Sequence, residues 1–457
     1  MEPASAAPAT TARWLARLGL SRREHVAWAL YDWANSAMVT TIVTAVFPIF
    51  FARVAAAGLE PAEATRRFTL TSTLCMLAAA LLSPTLGAVA DFSAAKKKFL
   101  AVFLALGAGA CAAMFWIERG DWLFAAILFA LANVGATSSF VFYDSLLPHV
   151  AKGDELDRVS TAGYALGYLG GGILLALNLA WIQKPEWFGL PHGDGLTDAQ
   201  QSLPARLAFV AVAVWWIAFS IPLFLRVPEP PRTLELDERP DQSALRVAFQ
   251  RLGETFRELK RYKQALLLLI AFLAYNDGIG TIIRMAAIYG EEVGIAQGHL
   301  IGAILLVQIV GIPCSFAFGA LAGRIGAKRA ILASIGVYFV ISLLAWRMDS
   351  AAEFYVLALL VGVVQGGSQA LSRSLFASLI PKHKSGEFFG FFSVLEKFAG
   401  ILGPGLFAVA QTVTGSSRHA ILSVVVFFVV GGWLLLRVDV EAGQRAAREA
   451  ESEATGA

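Results

Sequence analysis

The apolar segment 26–52 contains a single charged side chain, Asp32, which is followed on the same helical face by Asn35, Ser36 and Thr40. A lone carboxylate in a helix that crosses a bilayer costs roughly 2.5–3.5 kcal/mol, so its presence predicts a function. A carboxyl group in such surroundings can bind and release a proton. We therefore predict that Asp32 couples proton movement to a conformational change.

Three other apolar segments carry polar side chains at the same spacing. Each helix carries one stripe. The first stripe is Asn133, Thr137 and Asp144, the second is Asp277, Thr281 and Arg284 with Asn276 beside it, and the third is Gln365, Gln369 and Arg373. Polar groups at membrane depth must face protein or water, so the stripes predict a pathway for a polar solute and an ion. Their mixture of acidic and basic groups suits a zwitterion such as an amino acid or short peptide, and equally a sugar or a drug.

Two interpretations of the charged members stay open. Asp32, Asp277, Arg284 and Arg373 could line the pathway, or they could pair with one another only to stabilise the bundle. Asn276 is the counterpart of Asp32 in the second half of the chain and is uncharged, which favours a function for Asp32 over a structural need that both halves share. Asp277 could instead be the titrating group, with Asp32 holding a neighbour such as Arg373.

Charged residues near the ends of the apolar segments predict a gate. Asp91, which precedes Lys96–Lys98, is interpreted as a conformational latch, and Arg324 occupies the corresponding loop of the second half. Asp144 lies near a segment end, where an ion pair with Arg158 or with the polar linker is expected rather than contact with a ligand.

A further pair of charges, Glu396 and Lys397, lies at a depth similar to that of Arg373. At least one pair among these three is expected, as a structural clamp or as part of the pathway, because unpaired charge at this depth is costly. The glycines spaced four apart over 163–171 predict close helix packing rather than contact with a solute.

The composition places these stripes in a membrane protein, with 57% hydrophobic and 16% charged residues in 457. Apolar segments of about 20 residues, the length that crosses a bilayer, recur twelve times. They lie near 26–52, 68–90, 99–117, 122–147, 160–182, 205–225, 265–289, 299–322, 329–346, 354–380, 387–411 and 418–437. The fold class expected is an all-α integral membrane protein.

The polar segment 226–264 separates two sets of six spans, which predicts bundles over 26–225 and 265–437 with tails over 1–25 and 438–457. One helical face of this linker is apolar and predicts a helix lying on the membrane surface; it carries Leu245, Phe249, Leu252, Phe256 and Leu259. If both termini are cytoplasmic, the cytoplasmic segments hold 26 of the 37 Lys and Arg residues and the outside loops eight. This bias predicts that orientation.

The two halves also resemble each other in sequence. "SLLPHVAKGDELDRVSTAGYALGYLGGG" from Ser145 aligns without gaps to "SLIPKHKSGEFFGFFSVLEKFAGILGPG" from Ser378. "GAVADFSAAKKKFL" from Gly87 aligns to "GALAGRIGAKRAIL" from Gly319 at nearly the same offset. A six-plus-six parallel repeat is the architecture of transporters that work by alternating access.

The loops after the second and eighth spans are similar to the loop motif of the major facilitator superfamily (MFS): the first keeps Asp91, and the second keeps Arg324 and Gly326. "YDWANSA", "FYDSLLP" and "GYLGGG" together resemble a narrower branch, the vacuole-effluxer, autophagy-type family and its bacterial relatives. The resemblance runs from about Ser21 to Arg437. It implies a twelve-helix secondary transporter of two pseudo-symmetric bundles, in which spans 1, 4, 7 and 10 line a central cavity. For the fungal members it also implies amino-acid export from the vacuole.

We therefore predict a proton-coupled permease or effluxer for a small polar solute, multi-pass in a bacterial inner membrane, monomeric, without cofactor or nucleic-acid partner. The alternatives are a multidrug or metabolite efflux pump of the same fold and a receptor or scaffold that has lost transport. A membrane enzyme is disfavoured, because the sequence contains no GxxxxGK[ST], HExxH or GxSxG motif. The three cysteines show no metal-ligand spacing.

Overall fold

The computed structural model describes residues 14–153, 155–232, 262–398 and 402–455. Within these residues, twelve helices are long and apolar enough to cross a membrane. The number of spans predicted from the sequence is therefore confirmed. The predicted surface helix over residues 245–259 lies outside the described residues.

The helices of the first half are α1 (Arg23–Ala55), α2 (Pro61–Ser93), α3 (Lys96–Ala113), α4 (Trp122–Val150), α5 (Glu155–Gln183) and α6 (Asp198–Arg226). Those of the second half are α7 (Lys263–Glu292), α8 (Gln297–Ile325), α9 (Ala327–Trp346), α10 (Ala351–Ser378), α11 (Ser385–Phe398), α12 (Leu402–Thr414) and α13 (Arg418–Leu436). α11 and α12 belong to one candidate span, Lys382–Thr414. Most helices extend beyond the predicted apolar segments, because their first and last turns carry polar residues.

Local sequence determines several of the helix starts. Thr197 accepts a hydrogen bond from the backbone of Gln200, whose side chain accepts one from the backbone of Thr197, and α6 begins there. Ser350 and Glu353 form the same reciprocal arrangement at the start of α10. These capping boxes satisfy backbone N–H groups that have no partner within the helix.

α1 changes geometry just after its polar stripe. It is an α-helix over Arg23–Met38 and makes wider π-helical turns over Val39–Ala45. The Thr40 hydroxyl donates to the carbonyl of Gly171 on α5 at 3.2 Å, which joins this irregular part to the bundle. π-helical turns are rare and frequently lie at functional sites.

The two halves approach each other most closely where α2 packs against α11. A Cβ atom on Gly87 would overlap the carbonyl group of Gly386, and one on Gly390 would lie 2.6 Å from the Cα atom of Pro84. Only glycine permits this backbone separation. We call the end of the molecule that carries Lys96–Lys98 and Lys382–Lys384 the basic end; the charge bias predicts that it is cytoplasmic.

A last helix, α14 (Val440–Thr455), packs on the basic end of the second half, in a region that the sequence analysis treats as a tail. Its Glu451 side chain accepts a hydrogen bond from the backbone of Lys382 at 3.0 Å, and Gln444 donates to the Ser378 hydroxyl at 3.3 Å. A cavity of about 1170 Å³, lined on one side by Lys152 and its neighbours, lies between α14 and the first half. These hydrogen bonds attach α14 to the second half of the protein.

Candidate functional site

The centre of the candidate site is the guanidinium group of Arg373, on α10. Its Nη1 atom lies 3.0 Å from Asp144 Oδ1 on α4 and 3.5 Å from Asp32 Oδ2 on α1. Arg373 and Asp32 are buried, and Asp144 is largely so. We call these three side chains the ion cluster. It joins two stripes of the first half to one stripe of the second.

The remaining nitrogens of Arg373 bind α5. Nε donates to the Ser160 hydroxyl and Nη2 to the Ser160 carbonyl, both at 2.9 Å. The guanidinium carbon lies 4.8, 5.5 and 4.6 Å from the ring centroids of Trp28, Tyr143 and Tyr164. Cation–π contacts and five-donor geometry suit arginine better than lysine here. In this conformation, carboxylates, Ser160 and aromatic rings of the protein surround the Arg373 guanidinium.

Small residues of α5 make room for the cluster. A Cβ atom on Gly163 would lie 3.2 Å from Arg373 Nη2, and one on Gly167 would lie 2.8 Å from Asp32 Oδ1. The Ser36 hydroxyl donates to Asp32 at 3.3 Å, one helical turn away. The close packing that the glycine spacing predicts is therefore present, and it brings α5 against the polar stripe of α1.

A second contact closes the basic end. Asp91, at the end of α2, forms an ion pair with Lys96 at 2.9 Å and accepts hydrogen bonds from the backbone N–H groups of Gly386 and Glu387 at 3.1 and 2.9 Å. These two N–H groups lie in the first turn of α11, where the helix dipole favours a negative charge. Ala94, with φ of +48°, forms the turn that allows Lys96 to fold back.

Further hydrogen bonds link the halves at the same end. Ser160 donates to the Ala370 carbonyl at 2.7 Å, and Ser374 donates to Asp157 at 2.5 Å. Ser385 donates to the Ser145 carbonyl at 2.9 Å. Among the described residues, every hydrogen bond between the halves lies in the ion cluster or nearer the basic end. The structure is thus closed at the basic end.

The sequence predicts that Asp144 pairs with Arg158 or with the polar linker; the first pairing is wrong, and residues 233–261 of the linker lie outside the described residues. Asp144 pairs with Arg373 and not with Arg158, because Arg158 projects from α5 toward α8, where a Cβ atom on Gly323 would lie 3.3 Å from its Nη2 atom. Arg324 is exposed at the edge of the same α5–α8 contact. Arg158 and Arg324 thus belong to the packing between the halves, outside the ion cluster.

The other predicted residues are spread along the four stripes. Asn35 donates to Ser139 at 3.3 Å and Asn133 donates to the Phe129 carbonyl of its own helix at 3.0 Å. Glu396 and Lys397 form an ion pair with each other at 3.4 Å. Three predicted amides are half-buried, namely Asn276, Gln365 and Gln369.

The two charged residues of the α7 stripe differ from each other. Asp277 is buried, whereas Arg284, seven residues further along, is exposed. Neither belongs to the ion cluster. The sequence analysis did not single out Ser160, Trp28, Tyr143 or Tyr164, which surround Arg373.

The fold is that of transporters of the major facilitator superfamily. The structure of the MFS proton:xylose symporter XylE, bound to 6-bromo-6-deoxy-D-glucose, matches with a TM-score of 0.63 over 93% of this chain and 96% of that one, at 13% identity. The all-α fold of twelve membrane helices in two bundles is thereby confirmed.

The chain belongs to the vacuole effluxer Atg22-like family, whose profile matches residues 20–448. It is 34% identical over 420 residues to the uncharacterized MFS-type transporter YxiO of Bacillus subtilis, covering 92% of this chain and 95% of the relative. It is 28% identical over 326 residues to autophagy-related protein 22 of Yarrowia lipolytica, covering 65% of this chain and 52% of the relative. The resemblance inferred from "YDWANSA" and the other motifs is confirmed.

Proposed function

We propose that this protein is a proton-coupled secondary transporter that moves a small polar solute by alternating access. The observation that carries the proposal is the set of contacts between the halves, which holds the basic end closed through polar side chains and glycine packing. Such contacts can break and re-form while each bundle keeps its own core. Rocking of the bundles would then expose the stripes to each side of the membrane in turn.

The charges of the ion cluster support proton coupling. Arg373 contributes one positive charge, while Asp32 and Asp144 contribute two negative charges when ionised, so the cluster sums to minus one. One proton makes it neutral. We propose that Asp32 takes this proton, which weakens its attraction to Arg373 and lowers the free-energy cost of separating α1 from α10.

The solute that these residues favour is one with both an acidic and a basic group, such as an amino acid or a short peptide. When the basic end opens, Arg373 separates from the protonated Asp32 and from Asp144, so a guanidinium and the Asp144 carboxylate become available to a zwitterion. Asn276, Gln365 and Gln369 supply neutral donors and acceptors on α7 and α10. The family description as vacuole effluxers agrees with the transport of a solute across a membrane.

We further propose that the protein works as a monomer in a bacterial inner membrane with both termini in the cytoplasm. Reporter fusions at Met1, within the linker near Asp241 and at Ala457 are expected to give cytoplasmic signals. The physical reason is the concentration of Lys and Arg in the segments assigned to that side. A periplasmic signal from the linker fusion would contradict this topology.

Asp32→Asn is expected to abolish accumulation of the solute against a gradient while counterflow exchange continues. Asparagine keeps the shape of Asp32 and can still accept from Ser36, but it cannot titrate. A thermal-shift screen with purified protein identifies the solute, because a ligand at 100 times its dissociation constant stabilises by about 2.7 kcal/mol. Proteoliposomes with an imposed pH gradient then measure accumulation and exchange.

The control for this experiment is Asp194→Asn, which removes an exposed carboxylate from a loop between α5 and α6. This variant should accumulate the solute as the wild type does. If Asp32→Asn concentrates the solute with the pH dependence of the wild type, Asp32 has only a structural role.

A further inference from the structure

The second half contains a buried carboxylate that the ion cluster does not use. Asp277, in the middle of α7, has 0% of its surface exposed, and neither of its carboxylate oxygens has a hydrogen-bond partner among the described residues. The backbone of Gly403, in the first turn of α12, lies beside it, since a Cβ atom there would stand 3.1 Å from Asp277 Oδ1. The Thr281 hydroxyl donates to the Asp277 carbonyl at 2.7 Å, so this hydroxyl does not serve the carboxylate.

The cationic side chains of α10 and α11, which pack against α7, are engaged elsewhere. On α10, Arg373 binds Asp32 and Asp144. On α11, Glu396 and Lys397 pair with each other. α12 contains no charged residue.

The charges nearer the opposite end of the molecule form no ion pair with the carboxylate either, although Arg284 attracts it from a distance. Arg418, at the start of α13, forms an ion pair with Asp349, and His419 follows it there. On α7 itself, Arg284 lies two helical turns from Asp277, about 10 Å along the axis, and is exposed. Asp277 therefore lacks an adjacent cation among the described residues.

An ionised carboxylate at this depth, with neither an adjacent cation nor a hydrogen bond of normal geometry, is strongly unfavourable. Protonation of Asp277 removes this negative charge, so the carboxyl group then needs no cation beside it. We propose that Asp277 is a second proton-binding site, which holds its proton while the basic end is closed. It differs from Asp32 in that its neighbours belong to the second half, so its proton is not tied to the contact between the bundles.

Asp277 releases this proton when water enters between α7 and the first half. The same conformational cycle then carries a proton on each bundle, one on the ion cluster and one on Asp277. The role in transport rests on the proposed function, whereas proton binding by Asp277 does not.

Infrared difference spectroscopy of the full-length protein in lipid tests proton binding directly. A protonated carboxyl group gives a carbonyl band that shifts in D2O, and one component of this band is expected in the wild type, in Asp32→Asn and in the control Asp194→Asn. The component should be lost in Asp277→Asn. An Asp277→Asn spectrum identical to that of the wild type overturns the proposal.

Labelling with dicyclohexylcarbodiimide, which modifies protonated carboxyl groups in apolar surroundings, provides a measurement that needs no variant. Peptide mapping of the labelled wild-type protein should find the modification on Asp277, decreasing as the pH rises. Modification of Asp32 or Asp144 with none on Asp277 overturns the proposal, even if Asp277→Asn fails to fold.

Transport assays separate this inference from the proposed function. If Asp277 shows the carbonyl band and the label but no pH gradient drives solute accumulation in the wild type, the proposed proton-coupled function fails and the proton site stands. If accumulation is proton-driven and Asp277 shows neither signal, the proton site fails and the proposed function stands.

Discussion

Replacement of Arg373 by alanine is expected to reduce transport by on the order of a hundredfold or more. The substitution leaves Asp32 and Asp144 buried without their shared cation, and removing one partner of a buried ion pair typically costs about 3–5 kcal/mol. It also leaves the Ser160 carbonyl without its donor from α10. The closed basic end should lose most of this stabilisation, because these contacts join the two halves. Initial uptake rates in proteoliposomes measure the effect.

Arg373→Lys is expected to restore only part of the activity. An ammonium group keeps the positive charge, but it cannot contact Asp144 and both Ser160 oxygens with fixed planar geometry or stack on Trp28. Arg347→Ala, which removes an exposed arginine at the end of α9, is the matched control and should transport normally. Full activity of a correctly folded Arg373→Ala variant would show that transport does not depend on Arg373.

Gly87→Ala is expected to shift the conformational equilibrium toward a state that is open at the basic end. The new methyl group would overlap the backbone carbonyl of Gly386, which cannot move aside as a flexible side chain can. Overpacking of this kind costs about 1–3 kcal/mol, which changes an equilibrium between two states by roughly 5- to 150-fold. Solute exchange should slow because the basic end cannot close fully.

Spin labels at Lys152→Cys and Arg445→Cys measure this change as a longer distance between the halves. The background for these labels lacks the natural cysteines, Cys75, Cys111 and Cys314. Gly172→Ala is the control, because a Cβ atom there meets no atom within 4 Å, while the gain in helix propensity is the same. Equal distance distributions in the two variants would show that the α2–α11 contact does not limit closure.

The spans were predictable because the length and apolarity of a membrane helix are local properties. The polar stripes were predictable for the same reason, since their spacing is that of one helix. The partner of Asp144 was not predictable, because the choice between Arg158 and Arg373 depends on how the two bundles are placed in this closed state. Arg373 is more than 200 residues away from Asp144 along the sequence, and no local sequence pattern indicates that the two side chains are in contact.

The aromatic and backbone groups around Arg373 illustrate a second limit. Trp28 and Tyr143 look like ordinary core residues in the sequence, and Ser160 is one of many serines. Their role depends on the stack between the Trp28 and Tyr143 rings, whose centroids lie 4.3 Å apart. The glycines at 163 and 167 were the available signal, because they indicate where α5 comes closest to α1. α14 was not predictable from apolar length, because its segment is polar, although its Ala, Glu and Arg residues favour a helix.

The attachment of α14 makes this helix move with the second bundle. Lys328 donates to the Leu436 and Val438 carbonyls at 2.8 and 2.7 Å, and Asp439 binds Gln264 through its backbone, so the start of α14 cannot swivel freely. Because Gln444 and Glu451 further along the helix also bind the second half, its whole length of roughly 24 Å moves with that bundle. A fluorophore on its last turn would therefore report the movement of the second bundle relative to the first without a label near the ion cluster.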